Sequence, residues 1–128
     1  MNDAGRFRSK PSGEQNLTPK FDPIPQLIED LQALAADAAS IVANGRDSFL
    51  RSDGAIDRHA ADGILVKVQE LCDRFPASFR AERPAVPWRA IRGTRNRIGH
   101  NYRATDYSII WQTLERGLPD LIRSITEK

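Results

Sequence analysis

The chain has 128 residues, 40% of them hydrophobic and 28% charged, with a formal net charge of +2. That length fits one domain around a single core, and the ordinary composition excludes wholesale disorder. A net charge this small does not by itself argue for a nucleic-acid partner, but the charge is unevenly placed. Of the 19 basic residues four are Lys (Lys10, Lys20, Lys67, Lys128), which leaves 15 Arg, the side chain suited to bidentate phosphate contacts. Six of these (Arg83, Arg89, Arg92, Arg95, Arg97 and Arg103) fall between residues 83 and 103 with no acid among them.

The single cysteine, Cys72, allows no intramolecular disulfide, fits a reducing compartment, and reads as a small buried apolar residue. No apolar run approaches the ~20 residues needed to span a bilayer. There is also no hydrophobic signal region at the N-terminus, so the expectation is a cytoplasmic protein without a membrane partner. The sequon Asn16-Leu17-Thr18 carries no weight without secretion.

Residues 1–22 are rich in Gly, Ser, Asn, Pro and basic side chains and lack apolar periodicity, which predicts a flexible leader ahead of a helical domain over 23–128. Helical spacing begins at Ile24 and continues through Leu27, Ile28, Leu31, Leu34, Ala35, Ala38, Ile41 and Val42. Pro25 is tolerated in the first turn, and Asn44-Gly45 marks the stop. Phe49 and Leu50 are expected to pack in a short connection. A second helix is predicted from about Asp53 to Phe79, with Ile56, Ala60, Ile64, Leu65, Val68, Leu71, Cys72, Phe75 and Phe79 on its apolar stripe. Gly63 weakens this helix, Pro76 ends or kinks it near Phe75, and His59 lies off the stripe and reads as solvent-facing.

Pro84 and Pro87 place a loop over residues 80–87, and a third helix starts at Pro87 or Trp88. On that helix Ile91, Ile98 and Tyr102 share one face, with Trp88 beside them. Arg89, Arg92, Asn96, His100 and Arg103 share the adjoining flank. Thr105 or Asp106 caps a fourth helix, whose stripe is Tyr107, Ile110, Trp111, Leu114, Leu118, Leu121, Ile122 and Ile125. Gly117 and Pro119 predict a kink in it, or a split. Four amphipathic helices, short links and no strand signal make an all-α antiparallel four-helix-type bundle.

Chemistry concentrates in the stretch from Trp88 to Tyr102. A neutral imidazole takes the proton of a 2′-hydroxyl, and an imidazolium protonates a leaving 5′-oxygen. A guanidinium binds the scissile phosphate and stabilises the charge of its pentacoordinate transition state. Such RNA cleavage requires no metal, and the sequence offers no zinc pattern, Gly-rich phosphate loop, nucleophile elbow or paired catalytic carboxylates. Arg95 and His100 are five residues apart, about 140° around an ideal helix, so one helix does not close both on one phosphate. Two copies facing each other across a symmetric cleft would. Residue types alone stop at a helical bundle with a basic face able to contact RNA, in which Tyr102 reads as a core residue with a satisfied hydroxyl and Trp88 and Trp111 read as core anchors.

The run Arg95-Asn96-Arg97-Ile98-Gly99-His100-Asn101-Tyr102 resembles the HEPN superfamily, and within it the HepT-like toxins, whose signature is Arg-x4-His-x-Tyr. Its flanks are similar too: Pro87-Trp88-Arg89 before the motif, and Asp106, Ile110-Trp111 and Leu118-Pro119-Asp120-Leu121 after it. Glu70 looks like the family's helix-two glutamate. The resemblance covers roughly residues 24–126 and implies an all-α homodimer acting as a metal-independent ribonuclease, with Arg95 and His100 of both protomers in the dimer cleft. It implies that Arg95 binds and polarises phosphate, that His100 is the acid/base, and that Asn96 orients the site. Arg89, Arg92, Arg97 and Arg103 are the expected RNA phosphate contacts. It further implies a type VII-like toxin–antitoxin partner, a MntA-like nucleotidyltransferase that transfers AMP to Tyr102. No cofactor is expected. The rival expectation is a non-catalytic HEPN module that binds nucleotide or RNA, or docks a nucleotidyltransferase.

Overall fold

A computed structural model of the chain describes residues 21–92 and 105–127. Helix α1 spans Ile24–Ala43, α2 Arg46–Leu50, α3 Ala55–Arg74 and α4 Ala77–Ala81. Residues 88–92 are helical and open α5; α6 spans Tyr107–Gln112, and α7 spans Leu118–Thr126. Among the described residues there is no strand, so the all-α expectation holds.

Helix α1 follows its sequence pattern closely. Leu27, Leu31, Ala38 and Ile41 are buried on one face, and Asn44 ends the helix. Gly45 then takes φ 92°, a conformation that side chains with a Cβ resist, and this turns the chain into α2. The short connection contains Phe49, which is buried and meets the Trp111 ring at 5.4 Å and the Tyr107 ring edge-on at 6.2 Å. At Gly54 the chain passes so near α2 that a Cβ would lie 2.4 Å from the Ser48 carbonyl oxygen.

The predicted second segment, from Asp53 to Phe79, ends at Phe75 as Pro76 leads one to expect, and a separate short helix follows. Residues 52–54 form a 3-10 turn, α3 ends at Arg74, and Phe75 is extended ahead of Pro76. The proline ring disfavours a helical residue before it, so the chain breaks and restarts as α4. The connecting loop is correspondingly shorter than 80–87, since α4 runs to Ala81. Ile56 and Ala60 also depart from the expected stripe: Ile56 is 82% exposed and Ala60 is exposed, while Ala61 is fully buried. The arc that packs inward runs through Ala61, Ile64, Leu65, Val68, Leu71 and Cys72, and Ile56 lies about 140° from Ala61 around the helix.

The last predicted helix splits as expected. Residues Thr113–Gly117 widen into a π-helical turn between α6 and α7. Pro119 supplies no N–H to the Glu115 carbonyl and its ring crowds that oxygen, and a wider turn relieves both. Both pieces stay in the core, with Ile110, Trp111, Leu114, Leu118 and Ile125 buried. Helices α1 and α3 form an antiparallel hairpin whose ends meet where the Asn44 amide donates to Asp57, at 3.5 Å. The α6–α7 rod packs along α1, and α2 closes one end of the bundle. No helix among the described residues is long and apolar enough to cross a membrane.

Candidate functional site

The Arg-rich segment leaves the described structure from one anchor and returns to it at another. The first is built around Trp88. Its indole Nε1 donates to the carbonyls of Arg80 and Arg83, both at 3.2 Å, and its ring lies 5.9 Å from Phe75, which is itself stacked on Phe79 at 4.6 Å. Pro87 supplies the first helical carbonyl, which accepts from the Ile91 N–H at 3.1 Å. Trp88 and Ile91 are half-buried against the core, and this orientation leaves Arg89 and Arg92 exposed. The predicted apolar and basic sides of this helix are therefore realised over its described turn.

The two exposed arginines are not equivalent. Arg92 donates from Nε and Nη2 to one oxygen of Asp73, at 3.3 and 3.0 Å, which ties the first turn of α5 to the end of α3. Arg83, counted in the same basic run, has a structural task. Its Nε donates to the Ile125 carbonyl at 2.7 Å, Nη1 reaches the Phe79 carbonyl at 3.4 Å, and the guanidinium lies 3.6 Å from the centre of the Phe79 ring. With its side chain only 11% exposed, it fastens the α4–α5 connection to the last turn of α7.

The second anchor is at α6. Asp106 is the N-cap, as one of the two predicted candidates, and accepts from the backbone N–H and hydroxyl of Ser108 at 3.0 and 2.6 Å. These hydrogen bonds hold its carboxyl below the usual carboxylate range. The neighbouring Tyr107 donates its hydroxyl to Asp62 of α3 at 2.6 Å. Arg58 lies 5.7 Å from the centre of the Tyr107 ring and donates to the carbonyls of Phe49 and Arg51, at 2.8 and 2.6 Å.

Asp62 and Asp73 are eleven residues apart, three turns, so one face of α3 holds both anchors about 16 Å apart along its axis. Gln69 falls on the same face; it is buried, and its Oε1 has no hydrogen-bond partner. Glu70, the expected helix-two glutamate, is half-buried beside it. Arg95, Asn96, Arg97, His100, Tyr102 and Arg103 lie outside the described residues, as does the greater part of the predicted leader. Sequence reasoning missed Asp62, Asp73 and the Tyr107 hydroxyl as the groups that seat the segment's two ends. The spacing of the two aspartates was the available signal. Cys72 is buried as expected, and burial, with Asp73 next to it, pushes its thiol up to about 12. Among the described residues no three His, Cys, Asp or Glu side chains are grouped to hold a metal ion.

The family model for ribonuclease HepT-like proteins matches residues 31–127. A protein of Caldanaerobacter subterraneus subsp. tengcongensis, provisionally named an RNase, is 33% identical over 60 residues, covering 47% of this chain and 54% of the relative. A provisionally named RNase of Methanocaldococcus jannaschii is 30% identical over 81 residues, covering 63% of this chain and 65% of the relative. A protein of Thermococcus cleftensis, provisionally named ribonuclease HepT, is 28% identical over 54 residues, covering 42% and 49% of the two chains. The matches thus span about half to two-thirds of the curated relatives' length. No solved structure matches. The family match runs through α1 to α7 and takes in both anchors and the Arg-x4-His-x-Tyr run between them, and on that ground the chain belongs to the HepT-like ribonuclease family.

Proposed function

We propose that this protein is the ribonuclease toxin of a HepT/MntA-type, type VII-like toxin–antitoxin system. The observation that carries the reading is a family match that extends across residues 31–127 in a chain holding Arg95, Asn96, His100 and Tyr102 together. The cleavage is a transesterification: His100 takes the proton of the 2′-hydroxyl, the 2′-oxygen forms a bond to phosphorus, and the bond to the 5′-oxygen breaks. The leaving 5′-oxygen takes a proton from an imidazolium, so both proton transfers are carried by imidazole groups and neither calls for a metal ion. Arg95 binds the scissile phosphate and stabilises its extra charge, while Asn96 orients the site. Arg89, Arg92, Arg97 and Arg103 hold neighbouring phosphates; Arg89 and Arg92 are both exposed on one side of α5, which supports this, and Arg92 exchanges its Asp73 partner for a phosphate to do so.

The active form is a homodimer in which the two Arg95–His100 sets share a cleft. A MntA-like nucleotidyltransferase restrains it by transferring AMP to Tyr102. The added phosphodiester places negative charge and bulk beside the catalytic pair and repels RNA. A toxin acting on cellular RNA in this way works in the cytoplasm. The deciding experiment is an RNA-cleavage assay in excess chelator, comparing unmodified protein with His100→Ala. Cleavage by the unmodified protein alone supports the reading. Absence of cleavage by either, with intact mass showing a free Tyr102, favours a non-catalytic module that binds RNA or docks the nucleotidyltransferase.

A further inference from the structure

The two anchors of the Arg-rich segment carry opposite charge. Around the first, residues 70–92 hold five arginines (Arg74, Arg80, Arg83, Arg89 and Arg92) against three acids (Glu70, Asp73 and Glu82). Around the second, residues 51–62 together with Asp106 hold four aspartates (Asp53, Asp57, Asp62 and Asp106) against two arginines (Arg51 and Arg58). The neighbouring Arg46 and Asp47 of α2 cancel. The anchors lie about 16 Å apart along α3. Salt screens a charge over about 8 Å under physiological conditions, so a polyanion senses the two ends separately.

At the first anchor the acids are already taken. Asp73 accepts from Arg92 at 3.0 Å, Glu82 reaches Arg83 at 3.5 Å, and Glu70 is engaged as well. Arg74, Arg80 and Arg89 form no ion pair among the described residues. Arg74 and Arg89 are exposed, whereas Arg80 is half-buried and its Nε is buried without a hydrogen-bond partner. A cation taken partly out of water and given no counter-ion gains more from an arriving anion than a fully solvated one does. Contacts string these arginines into one patch. The Arg80 carbonyl accepts from the Trp88 indole, Arg89 follows Trp88 in the chain, and Arg92 is tied to Asp73, the neighbour of Arg74. Arg46 and Arg116 also lack ion pairs among the described residues, but each has an acid as its chain neighbour, Asp47 and Glu115.

We propose that Arg74 at the end of α3 and Arg80 on α4 form, with Arg89 and Arg92, a phosphate-binding subsite for the RNA strand flanking the cleavage point. The strand takes this path and not the one over α6, where Asp53, Asp57 and Asp106 oppose a polyanion. The proposal rests on the ribonuclease reading and extends its contacts to two arginines outside α5. In the sequence Arg95 follows Arg92 by three residues, so the patch continues the arginine run onto α3 and α4. Phosphate contacts position a strand and carry no sequence information, so this subsite sets affinity and register and leaves the choice of target sequence to other groups.

The test measures binding of a long, non-cleavable 2′-O-methyl RNA to the full chain by fluorescence anisotropy across a salt series. Arg74→Ala and Arg80→Gln are each expected to lower the slope of log K against log salt by about 0.7. Arg80→Lys keeps the charge and Arg46→Ala removes one from the other end of the bundle, so both should leave the slope as it is. Arg74 is exposed, so Arg74→Ala keeps the fold, as circular dichroism checks, even where a substitution at Arg80 disturbs it. In cleavage assays Arg74→Ala should raise KM for a long RNA several-fold with kcat unchanged, and leave a trinucleotide substrate unaffected. Unchanged slopes for Arg74→Ala and Arg80→Gln in a protein that binds and cleaves RNA overturn the subsite alone. An equal loss for Arg46→Ala also overturns it, because net charge would then account for the effect. Failure of the wild-type protein to bind RNA overturns the subsite and the ribonuclease reading together.

Discussion

The hydrogen bond from Tyr107 to Asp62 holds the second anchor of the Arg-rich segment, and its strength follows from its surroundings. The pair is part-buried at 2.6 Å, and the other carboxylate oxygen, Oδ1, is buried with no partner. A hydrogen bond to a charged group contributes about 1.5–3 kcal/mol, and here no second bond on Oδ1 compensates its loss. Tyr107→Phe keeps the ring, its edge-on contact with Phe49 and its place beside Arg58, so the substitution isolates the hydroxyl. The expected cost is about 2 kcal/mol, or about 6–10 °C in Tm for a domain of this length. Urea unfolding of the wild type, Tyr107→Phe, Asp62→Ala and the double variant measures it as a double-mutant cycle. The cycle should return a coupling of about 1.5 kcal/mol or more. A coupling under about 0.5 kcal/mol would refute the view that this bond seats α6 on α3.

Three further predictions concern other parts of the molecule. Gly54→Ala places a Cβ against the Ser48 and Phe49 carbonyl oxygens, at 2.4 and 2.8 Å, and since both are backbone the turn itself must move. A destabilisation of about 2–3 kcal/mol by chemical denaturation is expected, and an effect below about 0.5 would mean the turn yields freely. The thiol of Cys72 rises from 9.0 to about 12 on folding, so the folded state favours the neutral thiol. Its contribution is complete below pH 9 and is lost as pH rises toward 12, and the native protein should resist alkylation at pH 8 while the urea-unfolded protein reacts; equal rates would contradict burial. If Arg89 and Arg92 contact RNA phosphates, replacing either by Ala lowers the slope of log K against log salt by about 0.7, uniformly across sequences. An unchanged slope for both would remove them from the interface.

The four long helical segments, the stop at Asn44-Gly45, the split at Gly117–Pro119 and the Asp106 cap could all be read from the chain, whereas the short helices α2 and α4 could not. Each depends on backbone chemistry within a few residues: a left-handed glycine, a missing N–H, a side chain satisfying an orphan donor. The Arg-x4-His-x-Tyr run was legible for the same reason, because it is a local spacing. The stripe of α3 was misjudged at Ile56 and Ala60, because periodicity marks an arc as apolar without fixing which edge of the arc other helices cover. Arg83 was indistinguishable from Arg89 and Arg92 by composition; only the approach of α7, 42 residues further on, makes it a buried clamp on the Ile125 carbonyl. Asp62 and Asp73 likewise became anchors only when α5 and α6 came to rest on α3. The sequence by itself therefore determined the helices, their breaks and the family's chemical groups, since these rest on local conformational preference. The tertiary structure decided which charges are used up in holding the fold and which remain exposed, because that depends on partners brought together from distant parts of the chain.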